Sequence, residues 1–140
     1  MIKFITVDQN SEKHIRFLFN LLSYRNFPIS HKSTPNFEDH KTFVQNHPYR
    51  YWLIACLNDT YIGSTYICSD NVVGINLIKE NNEDFIEIIK YVKKNYKPLK
   101  PIKSVRNKNF LININPKNEE FKKALIKMDI KHIQNTYLIE

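Results

Sequence analysis

Glycine is almost missing from this chain of 140 residues: there are two, Gly63 and Gly74. That excludes a collagenous chain and leaves no glycine-rich loop of the kind that cradles nucleotide phosphates. Cysteine is as scarce, with Cys56 and Cys68 only. Two cysteines cannot build a disulfide framework, and their spacing matches no zinc motif, so both read as reduced thiols of a cytoplasmic protein and no metal is expected. No apolar run approaches the roughly 20 residues of a membrane helix. The opening Met1–Val7 has neither the apolar stretch nor the small-residue cleavage site of a signal peptide. Arginine is scarce too, four residues against 17 lysines.

What is abundant is isoleucine, lysine and asparagine (19, 17 and 17 residues), the bias of an AT-rich coding sequence. The net charge of +7 follows from it. Scarce arginine argues against nucleic acid as a partner, because arginine forks phosphates and reads guanine. The lysines cluster only over Lys90, Lys93, Lys94, Lys97, Lys100 and Lys103, which is either a solvated basic face or an attractor for polyphosphate. The length allows one domain, residues 1–140. Aromatics at 13% of the chain argue against disorder.

Hydrophobic spacing predicts the order β, α, α, β-β-β, α, β, α, β. Ile2–Val7 is a strand. Ser11 caps a helix whose face is Ile15, Leu18, Phe19 and Leu22. Arg25–Pro35, holding His31, is a long loop of the kind that lines sites. A short helix with His40, Phe43 and Val44 runs from about Asn36 to Asn46. Arg50–Leu57, Tyr61–Cys68 and Val72–Ile78 form an antiparallel meander. Both glycines fall inside these strands, where glycine implies a close approach of backbone or ligand. Phe85, Ile88, Ile89 and Val92 mark a helix ending near Tyr96. Ile102–Val105 and Phe110–Asn115 read as strands. Pro116 opens a helix with Phe121, Ala124, Leu125 and Met128 inside, and His132–Ile139 reads as a final strand. The fold class is α+β: a three-layer sandwich with a mostly antiparallel sheet of six to seven strands and about four helices.

This order resembles the GNAT superfamily of acyl-CoA N-acyltransferases over nearly the whole chain. Three segments carry the likeness: Tyr51-Trp52-Leu53-Ile54-Ala55 with Tyr61-Ile62-Gly63-Ser64; Val73-Gly74-Ile75-Asn76-Leu77-Ile78; and Ile114-Asn115-Pro116-Lys117-Asn118 with Phe121 and Leu125–Ile130. The helix with His40 is similar to the subset acting on nucleotide-linked amino sugars. The resemblance implies an N-acetyltransferase with acetyl-CoA as cosubstrate and a small-molecule amine, such as an amino sugar, as acceptor. The chain is expected to be a monomer or a homodimer, the latter through a sheet edge or an aromatic surface. A splayed fourth strand would pair with the pantetheine arm through Ile75, Asn76, Leu77 and Ile78. Asn81 and Asn82 would lie at the pyrophosphate, at the start of the next helix, and Asn118 near the cosubstrate. The departures are local. The loop Lys79–Asp84 has no glycine, and the family's tyrosine general acid is Leu125. The family's glycine before the last strand is Asp129. His31, His40 and Tyr66 are therefore the candidates for proton transfer, each with a plainer alternative as loop, helix-packing or strand-packing residue. The contrary reading is a noncatalytic GNAT-like binding or assembly module.

Overall fold

The aromatic hairpin is the middle of the sheet. A computed structural model describes residues 1–24 and 35–140 of the chain. The elements are β1 (Lys3–Thr6), α1 (Glu12–Ser23), α2 (Phe37–Gln45), β2 (Tyr51–Leu57), β3 (Thr60–Ile67), β4 (Val72–Leu77), α3 (Asn82–Asn95), β5 (Leu111–Ile112) and α4 (Glu119–Lys127). Asparagine and serine start every helix. Ser11, Asn36, Asn81 and Asn118 each accept a hydrogen bond from an amide of the first turn, which satisfies donors that the helix itself cannot. Asn58 and Asp59, both at positive φ (49° and 62°), make the two-residue turn joining β2 to β3. Such a turn matches the strand twist.

The sheet has the order β1-β2-β3-β4-β5, antiparallel up to β4 and parallel between β4 and β5. Alternation along β2 divides the core in two. Trp52 and Ile54 point to one side and pack with Val7, Ile15, Leu18 and Val44, under α1 and α2. Ala55 points to the other and packs with Leu77, Phe85, Ile88, Ile89, Phe121 and Ala124, under α3 and α4. On that side the rings of Phe85 and Phe121 stack with centroids 4.0 Å apart. A smaller cluster of Ile67, Val73 and Val92 continues it.

Among the described residues the sheet has five strands, not the six to seven expected from spacing. Ile102–Val105 is a turn, closed by a single bridge between Ile102 and Arg106, with Ser104 at φ 64°. The expected strand Phe110–Asn115 pairs at Leu111 and Ile112 alone. The expected strand His132–Ile139 finds no strand partner among the described residues, and positions 131–140 are exposed throughout. The expected loop Arg25–Pro35 lies, apart from Pro35, outside the described residues.

Asn71, in the turn before β4, is fully buried at φ 69°. Its Nδ2 donates to the Leu99 and Asn107 carbonyls (2.9 and 2.8 Å), and its Oδ1 accepts from the Leu99 amide at 2.8 Å. Its own carbonyl accepts from the Leu111 amide at 3.0 Å. One residue thus ties the 99–107 segment and β5 to the start of β4.

Candidate functional site

Residues 72 to 77 of β4 divide their backbone groups between two neighbours. The bonds Cys68 N to Val72 O and Ile78 N to Ile62 O bracket the β3–β4 ladder. Antiparallel alternation then assigns the polar groups of Val72, Gly74, Asn76 and Ile78 to β3, and those of Val73, Ile75 and Leu77 to the opposite side. On that side β5 pairs only with Val72 and Val73. Beyond Val73, β4 and β5 part, and no described strand pairs with Ile75 or Leu77 there. The result, among the described residues, is a short fork whose edge no strand covers, buried at Leu77 and half-buried at Ile75. Of the four residues picked out on β4, Ile75 and Leu77 present backbone groups to the fork, while Asn76 and Ile78 spend theirs on β3.

An aromatic group lies on the α1–α2 side of the same region. Tyr66 stacks on Tyr49, with ring centroids 4.1 Å apart and planes 11° from parallel. Tyr49 also meets Trp52 edge-on at 5.0 Å, and His47 sits 5.1 Å from Trp52. The ring of Tyr66 lies over Gly74: a Cβ at Gly74 would fall 2.0 Å from its Cζ and 2.4 Å from its Oη. The glycine in β4 is there because a phenol occupies the space above it. The Tyr66 hydroxyl therefore sits one residue from the open stretch at Ile75. Burial pushes the Tyr49 phenol well above the ordinary tyrosine range, with Tyr66 and Cys68 adding to the shift. Burial, with Asp70 beside it, pushes the Cys68 thiol up to about 11, so it stays protonated and unreactive at neutral pH.

The remaining candidates are dispersed. His40 is buried against Phe19, ring centroids 5.7 Å apart, and burial lowers its pKa. Among the described residues its Nε2 has no hydrogen-bond partner, nor has Trp52 Nε1. His31 falls outside the described residues. Asn118 is buried and caps α4, its Oδ1 accepting from the Phe121 amide at 3.2 Å. Asn81 Oδ1 takes the Glu83 and Asp84 amides at 2.9 and 3.1 Å. Asn82 Nδ2 reaches Glu120 Oε2 at 3.3 Å. Tyr49 was invisible to sequence reasoning; the run Asn46-His47-Pro48-Tyr49, with rings beside a strand start, was the available signal. Leu125 packs at the edge of the α3–α4 core. Among the described residues no group of three or more His, Cys, Asp or Glu side chains could hold a metal ion, and no helix is long and apolar enough to cross a membrane.

A solved structure of a protein described as a possible acetyltransferase, from Clostridium difficile 630, superposes with a TM-score of 0.60. The match covers 100% of this chain and 97% of that one at 10% identity. This chain shares its fold. A domain from Methanocaldococcus jannaschii DSM 2661 is also similar, with a TM-score of 0.63 and 17% identity over 92% of this chain and 87% of that one. No protein-family model matches the sequence, and no curated protein matches it.

Proposed function

We propose that the chain is a single-domain cytoplasmic N-acyltransferase of the GNAT kind, moving an acetyl or related acyl group from acyl-CoA to a primary amine of a small acceptor such as an amino sugar. The observation that carries the reading is the fork: among the described residues no strand pairs with Ile75 or Leu77 on the side of β4 where β5 ends, in a fold shared with a possible acetyltransferase. An extended arm carrying amides can pair with such an edge as an added strand. The fit differs along the cosubstrate. The edge at Ile75 and Leu77 suits the pantetheine arm. The pyrophosphate end is less well served, because Asn81 already caps α3 and Glu80, Glu83 and Asp84 stand against Lys79.

When bound, the cosubstrate supplies an activated thioester. The chain's own residues orient the amine and manage its proton. In this reading Tyr66, whose ring lies over Gly74, protonates the departing sulfur, the role that Leu125 cannot fill. The proton of the amine passes to His31 or to an ordered water, with His40, buried against Phe19, reached only through such a relay. The acceptor rests against the Tyr49–Tyr66 stack.

Calorimetry with acetyl-CoA and desulfo-CoA tests the reading. One-to-one micromolar binding supports it and justifies an acceptor screen over amino sugars, polyamines and amino acids. In that screen Tyr66→Phe is expected to lower kcat while leaving acetyl-CoA affinity unchanged. Absence of binding at millimolar acetyl-CoA would overturn it. The second reading, a noncatalytic binding or assembly module, is favoured by one observation, the capped and acidic start of α3.

A further inference from the structure

We infer that the turn at residues 97–108 is a docking surface for an anionic lipid membrane, with its lysines at the headgroups and two aliphatic side chains, Ile102 and Val105, reaching below them. The inference stands apart from the proposed activity.

Charge is unevenly shared along the chain. Between Glu87 and Glu119 lie eight lysines, one arginine and no acidic residue, so this stretch alone exceeds the net +7 of the whole. All eight lysines are exposed. Among the described residues none of them forms an ion pair, the pairs that exist lying within α1 and α4. The acid beside this surface is Asp70, whose Oδ1 accepts from the Val72 amide at 3.1 Å. One carboxylate does not balance such a run, and uncompensated ammonium groups draw anions.

The turn is tied at its base and bare at its tip. Asn71 holds the Leu99 and Asn107 carbonyls. Arg106 Nε donates to Lys100 O at 2.7 Å and its Nη1 to Ser69 O at 3.1 Å. The Ile102 and Arg106 backbones bond to each other at 3.0 and 2.8 Å. At the tip so closed, Val105 is 70% exposed and Ile102 46%. Neither belongs to a core cluster. Aliphatic side chains set among lysines suit a lipid interface, where ammonium groups meet anionic headgroups and apolar groups enter the acyl boundary.

The arginines argue against a nucleic acid as the occupant. The Arg50 guanidinium donates to Lys97 O at 3.4 and 3.5 Å, and that of Arg106 to Lys100 O and Ser69 O. Both are spent on the chain's own carbonyls, which leaves point charges where phosphate recognition favours forks. A nucleic acid backbone or an acidic peptide also gains nothing from Ile102 and Val105, whereas a membrane buries them.

Co-sedimentation of the full chain with vesicles tests the inference. The probes are vesicles of phosphatidylcholine alone and of phosphatidylcholine with one quarter phosphatidylserine. Binding is expected to the mixed vesicles only, and weaker as salt rises. The triple variant Lys97→Gln, Lys100→Gln, Lys103→Gln should lower the partition coefficient about a hundredfold, at roughly fivefold per lysine. Ile102→Ser with Val105→Ser should lower it about tenfold. Both variants should keep the parent circular dichroism spectrum, since all five side chains are exposed. Equal binding to neutral vesicles, or none to mixed ones, would overturn the inference. So would displacement by free glycerophosphate, or vesicle binding indifferent to the Ile102 and Val105 changes. Lysine changes that weaken binding to oligouridylate or polyglutamate but not to mixed vesicles would assign the surface to a soluble polyanion instead.

Discussion

Gly74 and Tyr66 are a matched pair. Alanine at 74 would put a methyl inside the Tyr66 ring, which an aromatic wedged against Tyr49 cannot easily vacate. Gly74→Ala should cost about 1–3 kcal/mol by overpacking, read from urea denaturation. Most of that cost should vanish in a Tyr66→Ala background, and an undiminished cost there would mean that the ring is not what constrains residue 74. His40 gives a second prediction. Burial lowers its pKa below the ordinary 6.5, so the unfolded chain binds more protons than the native one between the two values. Stability contributed by the neutral ring is complete above 6.5 and is lost as pH falls toward the lowered value. His14 and His47 shift the same way, also by burial first. The melting temperature should therefore fall from neutral pH to about pH 5, before most carboxylates titrate, and His40→Leu should flatten part of that slope. An unchanged slope would remove His40 from the account.

Element by element, what was legible in the sequence is what is local. The helices declared themselves because their apolar spacing and their Ser or Asn caps lie within one stretch of chain, and the hairpin did so through β-branched and aromatic runs around Asn58-Asp59. What failed was non-local. Whether Phe110–Asn115 becomes a long strand depends on how far it follows β4, and Asn71 fixes only its beginning. For His132–Ile139 the apolar residues of a strand are present, and no described strand pairs with them. The fork was half legible: a resemblance pointed to Ile75–Ile78, but which of the four keep open backbone groups depends on where β5 stops. Asp129 repeats the lesson at a helix end, since it fills a left-handed position that glycine occupies without strain. Asp129→Gly should raise stability by about 0.5–1 kcal/mol, measurable as a higher midpoint in urea. At the other end of the helical layer, Glu80, Glu83 and Asp84 at the start of α3 would repel a pyrophosphate. On the proposed reading, Glu80→Gln with Glu83→Gln should tighten acetyl-CoA several-fold at low ionic strength and less in high salt. Equal affinities in calorimetry would mean that this loop does not meet the cosubstrate.

The whole molecule is unevenly secured. β2 and β3 are central, buried and flanked on both sides, while residues 100–109 and 131–140 lie mostly in water. Native-state hydrogen exchange should be slowest for Ile54, Ala55 and Thr65 and fastest for those two peripheral segments. Between the rigid centre and the loose rim stands Asn71, and its chemistry bears on how the protein ages. Asparagine side chains hydrolyse slowly to aspartate. Here that reaction would exchange a donor serving two carbonyls for an oxygen facing them, and place a charge in a buried site. The Leu99–Asn107 segment would be cast off and the start of β5 with it. The same enclosure that makes Asn71 indispensable also shields it, by burying its side-chain amide and holding it in three hydrogen bonds. Its intactness after long storage would be a sensitive clock of how often this corner opens.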